Sequence, residues 1–285
     1  MWRIGSSSWR LAPSSTIGLL ANSSASRTTL ASRPSWPATA TNAVRASDER
    51  ARRVIEFAAT YAGLYFKGLL LGLGLTVAAM AGAFLIGLFV ALARLSQRGW
   101  LRAAGGAYVA LFRGIPPLVL LYLVYFGLPA WAAQVGNPFL IALLGPLDNR
   151  LLAATLAFSV NAGAYTTEII RASIQALPAD QMEAAKSIGM THGLAMRRIV
   201  LPQSLRIAFP PLCNEFIVIL KGTSLASVIG VTELMRSAQM VAAATFLNLQ
   251  AYILAAMFYV VAVIVLQTLS SLIELKLLAG STTGD

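Results

Sequence analysis

Long, largely uncharged runs separated by short charged breaks set the pattern of this chain. Gly68–Ala93 carries no charge and is bounded by Lys67 and Arg94. Further apolar runs extend over Gly114–Trp131, Leu151–Ile174, Arg206–Gly230 and Leu249–Ile273. Each is on the scale of the roughly 20 residues that carry a helix across a hydrocarbon layer, so five spans are predicted. In the first, Gly74, Ala78 and Gly82 recur every four residues, a small-residue face that lets another helix approach closely. The fourth reads as irregular, interrupted by Pro210-Pro211 and by Lys221-Gly222-Thr223-Ser224. Such breaks are tolerated at membrane depth only where protein or water lines the backbone. Gly127–Asn149 reads as a loop rich in Pro and Gly, and Val231–Gln239 as a short amphipathic segment.

The polar stretch Pro178–Pro202 breaks this apolar pattern and predicts two short helices. Pro178 suits a first helical turn, with Asp180 and Glu183 near the positive end of the helix dipole. Gly189 offers the left-handed position that ends the first helix. Thr191 can cap the second, which is expected to stop before Pro202.

Composition agrees with a membrane setting. The chain is 57% hydrophobic and 12% charged, with a mean hydropathy of +0.71, against about 25% charge in soluble domains. Apolar runs of this length mean helices rather than barrel strands, giving an all-α integral membrane protein. The net charge of +11 fits inner loops facing an anionic lipid surface better than it fits nucleic acid. The lone Cys213 excludes an internal disulfide, and the lone His192 a histidine-based metal cluster. Gly-Lys occurs nowhere, so no phosphate loop of the Walker A kind is present and no cofactor or metal is expected.

Residues 1–47 contain no Asp or Glu and are rich in Ser, Ala, Thr and Arg. This composition suits a transit peptide, a disordered tail or an over-long gene start, and Asp48–Glu56 reads as a surface helix leading into the first span. The apolar patch Thr16–Ala21 is too short for a signal-peptide core. With an outer N-terminus, one side of the membrane receives Arg94, Arg98, Arg102, Arg113, Arg171, Lys186, Arg197, Arg198 and Arg206. The other receives only Arg150, Lys221 and Arg236. The bias places 178–202 and the C-terminus in the cytoplasm, with the basic N-terminal tail as the exception.

Several motifs carry a family likeness. Glu183-Ala184-Ala185, Gly189, Ile199 and Leu201-Pro202 fill every fixed position of the EAA loop, and the chain resembles the permease subunits of bacterial ABC importers. Arg113-Gly114-Ile115-Pro116-Pro117 is similar to the RGTP segment of the polar amino acid permeases, with Ile115 replacing Thr. Ala164-Tyr165, Glu168, Arg171 and Ile174 resemble the run that precedes the EAA loop in that subfamily. Pro210-Pro211 with Asn214-Glu215-Phe216, and then Lys221-Gly222-Thr223-Ser224-Leu225, resemble its later segments. Gly222 stands where Asp is usual, so a salt bridge from that position to Lys221 is not expected here.

The resemblance covers about residues 63–278, with 1–62 as extension plus lead-in helix and 279–285 as a tail. It implies five helices in the type I ABC importer permease arrangement, with 178–202 as a cytoplasmic coupling loop in a bacterial inner membrane. It implies two ABC ATPase subunits, a second permease (the same chain or a sister) and a periplasmic or lipid-anchored amino acid-binding protein. Membrane lipid is the remaining partner. Glu183, Ala184, Ala185, Gly189, Ile199, Leu201 and Pro202 would then couple to the ATPase. Asn161, Tyr165, Thr223 and Ser224 are candidates for the substrate pathway, two of them at a helix break where freed backbone can bind a zwitterion. An interhelical hydrogen bond would also explain Asn161, and Glu168–Arg171 reads as an i,i+3 pair at the membrane surface. A permease for an opine or a sulfur-containing amino acid is the alternative within transporters. A channel would need no coupling loop, and an intramembrane enzyme would need a catalytic set that the spans do not supply.

Overall fold

The computed structural model describes residues 36–178 and 180–279, and within them the chain is helical almost throughout. The patch Thr16–Ala21, most of the proposed tail and residues 280–285 lie outside these bounds. Helix α1 runs from Trp36 to Arg94, so helix begins inside the stretch expected to be a tail and continues through the lead-in segment into the first span. Then follow α2 (Gly99–Gly114), α3 (Pro117–Val135), α4 (Pro138–Leu144), α5 (Arg150–Gln175), α6 (Asp180–Ser187), α7 (His192–Ile229), α8 (Leu234–Thr245) and α9 (Asn248–Ala279).

Four helices, the apolar part of α1, α3, α7 and α9, are long and apolar enough to span a membrane. Counting the bent pair α4–α5 brings the number to five. Helix α5 is long enough to cross but less apolar than the others because it sits at the centre. Of its 26 residues, 14 are buried, and most of these are Ala, Gly, Ser or Thr. A helix wrapped by other helices meets protein rather than lipid, so it need not be apolar all round. Asn149 caps its start, the side-chain oxygen accepting the amides of Leu151 at 2.9 Å and Leu152 at 3.3 Å.

Small residues bring α1 against this centre, but of the three expected only Gly82 packs there, where an added Cβ would run into the Ser159 side chain. Gly74 and Ala78 are exposed, and a Cβ at Gly74 would meet nothing within 4 Å. The packed stripe is Gly68, Gly72, Thr76, Ala79, Ala83 and Gly87, spaced by three and four rather than by four alone. A strict period of four drifts around a helix of 3.6 residues per turn, which is why the simpler pattern misleads. At Gly87 an added Cβ would lie 2.6 Å from a Thr166 methyl. Ser159 donates from α5 to the Ala79 carbonyl at 3.1 Å, and Tyr108 of α2 donates to Val160 at 2.7 Å.

Two expected breaks are continuous instead, and the expected loop is mostly helical. Gly127–Asn149 contains the end of α3, then α4 and a 3-10 turn over Gly145–Asp148. Helix α7 passes through Pro202 and again through Pro210 and Pro211. The chain accommodates Pro202 with a π-turn over Met196–Val200, in which the Leu201 amide reaches back to Met196. The same device precedes Pro129, where Leu123–Gly127 forms a π-turn and the Leu128 amide bonds Leu123. A wider turn just before a proline shifts the hydrogen-bond register where the missing N–H and the ring would otherwise break it. At the far end, α7 tightens to 3-10 over Thr223–Ile229 and stops at Gly230, whose φ is +84°.

Glu233 explains the segment that follows. Its carboxylate is fully buried and accepts the amides of Met235 and Arg236, both at 2.8 Å, capping α8. Tyr259 of α9 donates to the same carboxylate at 3.0 Å, so one acid fixes both the start of α8 and its contact with α9.

Candidate functional site

The 178–202 segment is a helix, a glycine turn and a second helix start. Asp180 and Glu183 lie in the first turn of α6 and Lys186 in the last, each at the favourable end of the dipole. Pro178 lies just upstream rather than inside the helix, and its carbonyl accepts the Gln181 amide at 3.3 Å. Gly189 has φ +84°. Its amide bonds the Lys186 carbonyl at 2.9 Å, while the Met190 amide bonds Ala185 at 3.1 Å. This pair of bonds is a Schellman stop, which requires a left-handed residue between its two arms. Thr191 then caps α7, its hydroxyl accepting the Leu194 amide at 3.4 Å.

The residues singled out in this segment divide by exposure. Ala185 is buried and Met182 partly so, with α6 lying against the π-turn of α7. Val200, Ile170, Ile174 and Ala91 form the apolar cluster beneath, with Leu201 packed on it. Ile199 is half-buried. Glu183, Ala184, Gly189 and Pro202 are exposed, and Ile188 is 77% exposed. The result is a two-helix knob with an exposed isoleucine beside its turn.

An ionic clasp lies close to this knob in the fold. Arg171 holds Glu168 through Nε at 3.0 Å and a terminal nitrogen at 2.7 Å, and donates to Gln175 at 2.6 Å. Arg94, the last residue of α1, pairs with the other Glu168 oxygen. The i,i+3 pair read from sequence is thus a three-residue clasp that joins α1 to α5.

Deeper, a cavity of about 220 Å³ lies between the start of α3, α5 and α7. Asn161, Tyr165 and Glu215 supply its polar lining, with Pro117, Phe158 and Gly222 among the rest. Asn161 also donates across helices to the Phe112 carbonyl at 2.9 Å, the interhelical hydrogen bond that was one of the two readings of it from sequence. Arg113 lies over the Tyr165 ring, 5.0 Å from its centroid.

The structure brings together Asn161 and Tyr165 but not Thr223 and Ser224. Thr223 is 1% exposed, faces Gly72 of α1 and donates to Leu220 at 2.7 Å. Ser224 donates to Lys221 at 2.8 Å. Neither lines the cavity; both satisfy the carbonyls that the 3-10 break frees. Lys221 has no ion-pair partner among the described residues. Glu215 is the residue that sequence reasoning passed over. Its signal was present, since it is the one acid between Glu183 and Glu233 and it falls inside an apolar run.

Comparison with known proteins follows the same lines. The family model described as "binding-protein-dependent transport system inner membrane component" matches residues 83–278. The L-cystine transport system permease protein TcyB of Bacillus subtilis (strain 168) is 39% identical over 216 residues, 75% of this chain and 85% of that protein. The probable amino-acid ABC transporter permease protein YckA of the same organism is 38% identical over 193 residues, 68% of this chain and 80% of that one. Among solved structures, an amino acid ABC transporter crystallised with histidines superposes with a TM-score of 0.66 at 37% identity. The match covers 76% of this chain and 96% of that chain.

Proposed function

The chain belongs to the family of binding-protein-dependent transport system inner membrane components, and on that premise we propose that it is the permease subunit of an ABC importer for a polar amino acid. It carries its solute across the bacterial inner membrane, driven by ATP hydrolysis on a separate subunit. The observation that carries the substrate class is a carboxylate and an amide side chain lining one cavity inside the helix bundle. Glu215 lines it, and Arg113 lies over the ring of Tyr165, which also lines it. An α-amino acid carries its ammonium and its carboxylate on one carbon, so Glu215 would face the ammonium and Arg113, on the Tyr165 side, the carboxylate. Asn161 adds an amide for orientation.

Transport then follows from two states of the helix bundle. A substrate-binding protein delivers the solute from outside, and two ATPase subunits sit beneath a pair of permeases, alike or sister chains. The N-terminus lies outside and the C-terminus in the cytoplasm, as the Lys and Arg distribution favours. ATP closes the ATPase dimer and draws the paired 178–202 knobs together. The cavity turns from inward-facing to outward-facing, and hydrolysis returns it. Such a shift requires ligands that bind the two states differently, which ATP and the loaded binding protein supply.

Ile188 and Glu183 are the exposed features of the knob best placed to meet the ATPase, while Ala185, Gly189 and Leu201 keep its shape. The likeness to an L-cystine permease supports a sulfur-containing amino acid as the second reading of the substrate. Uptake by proteoliposomes containing permease, ATPase and binding protein tests both readings. Labelled polar amino acids should accumulate only with ATP inside, and a panel including cystine separates the substrates. ATP-independent uptake of many unrelated ions would instead describe a channel.

A further inference from the structure

Between the end of α1 and the start of α7 the surface opens into a second cavity, of about 610 Å³. Its lining joins two kinds of group. Arg98, Arg197 and His192 supply cations and a hydrogen-bonding imidazole, while Leu92, Leu95 and Leu201 supply apolar surface. No carboxylate lines it, and among the described residues neither arginine has an ion-pair partner. This contrasts with Arg94 and Arg171 nearby, which share Glu168.

The level of the cavity is set by the helices that form it. Arg94 closes the uncharged run of α1, and Leu201 lies at the start of the apolar part of α7. Trp100, in the first turn of α2, is 68% exposed. Tryptophan beside arginines at the end of an apolar helix marks the boundary between hydrocarbon and headgroups. Unpaired cations beside leucines at that boundary suit a ligand with an anionic head and an apolar tail.

We propose that this cavity binds the headgroup of an anionic phospholipid, with Arg98 and Arg197 on the phosphate and Leu92, Leu95 and Leu201 against the first carbons of the chains. Basic pockets between spans on the cytoplasmic side are a recognised way to hold such headgroups. The proposal rests on the reading of the chain as a membrane permease with this face inside. One wall comes from the loop after α1 and the other from the 178–202 segment, so the lipid would brace the knob against the span that precedes it. An ATPase surface could meet the cations, but it would leave unexplained why leucines from the ends of two spans share the site.

The test uses the complex of permease and ATPase, reconstituted in vesicles of equal parts phosphatidylglycerol and phosphatidylcholine and then extracted in neutral detergent. Mass spectrometry of the retained lipid should show phosphatidylglycerol enriched over phosphatidylcholine. Arg98→Gln with Arg197→Gln should lower that enrichment by about fivefold for each arginine, while Arg98→Lys with Arg197→Lys should keep most of it. Equal retention by the wild type and the glutamine variant would overturn the proposal. So would a thermal stabilisation of the wild-type complex by inorganic phosphate as large as that given by phosphatidylglycerol, which would assign the site to a free anion. Loss of the ATPase from the glutamine variant with lipid retention unchanged would assign the arginines to the protein partner and overturn it as well. Amino acid uptake is not read in any arm, so an error in the substrate assignment cannot mimic these outcomes.

Discussion

The knob at 178–202 and the cavity around Glu215 are built by different physics. In the knob, geometry is local. Ala185, Lys186, Gly189 and Met190 close the first helix through their own backbone bonds, and Thr191 opens the next within two residues. In the cavity, geometry comes from a distance. Asn161 is held by the carbonyl of Phe112, Tyr165 meets Arg113, and Glu215 comes from a third helix. A locally determined element can keep its shape while it is pushed as a unit. An element held by packing between helices changes when those helices move, and the proposed transport cycle draws on both kinds of response.

The largest expected effect lies in the cavity. Glu215→Gln removes the one carboxylate that lines it, the acid proposed to face the substrate ammonium. A hydrogen bond to a charged group contributes about 1.5–3 kcal/mol. Uptake at low substrate should fall by about tenfold or more by that measure, and the loss should appear mainly as a raised KM in transport assays. A Glu215→Gln variant with unchanged KM would move the substrate site elsewhere and dissolve the contrast between the two regions.

The smallest effect is expected at the helix break. Ser224 and Thr223 bond the carbonyls of Lys221 and Leu220 and do not line the cavity. Ser224→Ala removes one half-buried hydroxyl bond, with a stability cost of about 1 kcal/mol, and KM should stay within about twofold of wild type. A large rise in KM for Ser224→Ala with KM unchanged in Glu215→Gln would reverse the assignment of the two sites.

Particular residues show how much of this was legible in the sequence. Gly189 and Thr191 could be read in advance because capping chemistry acts over three or four residues. The five apolar runs could be read because membrane thickness fixes their length. Pro202 misled because proline rules treat a helix as uniform, whereas the chain widened one turn into a π-turn ahead of it. Gly74 and Ala78 misled because a repeat of small residues does not say which side of the helix is covered. Arg94 could not be paired with Glu168 from sequence, since the ends of α1 and α5 meet only in the folded bundle. Glu215 stood alone in an apolar run, and that isolation was a usable signal.

The measurement that bears most directly on the account is amino acid uptake by Gly189→Val, normalised to the amount of permease in the membrane. At φ +84° a side chain is strained whatever its surroundings, and a Cβ there would meet nothing within 4 Å, so the effect is confined to the backbone of the turn. A left-handed valine costs roughly 1–2 kcal/mol. The helices that span the membrane are untouched, whereas the angle between α6 and α7 is not. The account predicts near-normal membrane abundance, loss of most ATP-driven uptake and weaker capture of the ATPase, with Gly189→Asn intermediate because asparagine tolerates the left-handed region. Full uptake by Gly189→Val would contradict it, leaving 178–202 as a surface hairpin with no part in coupling.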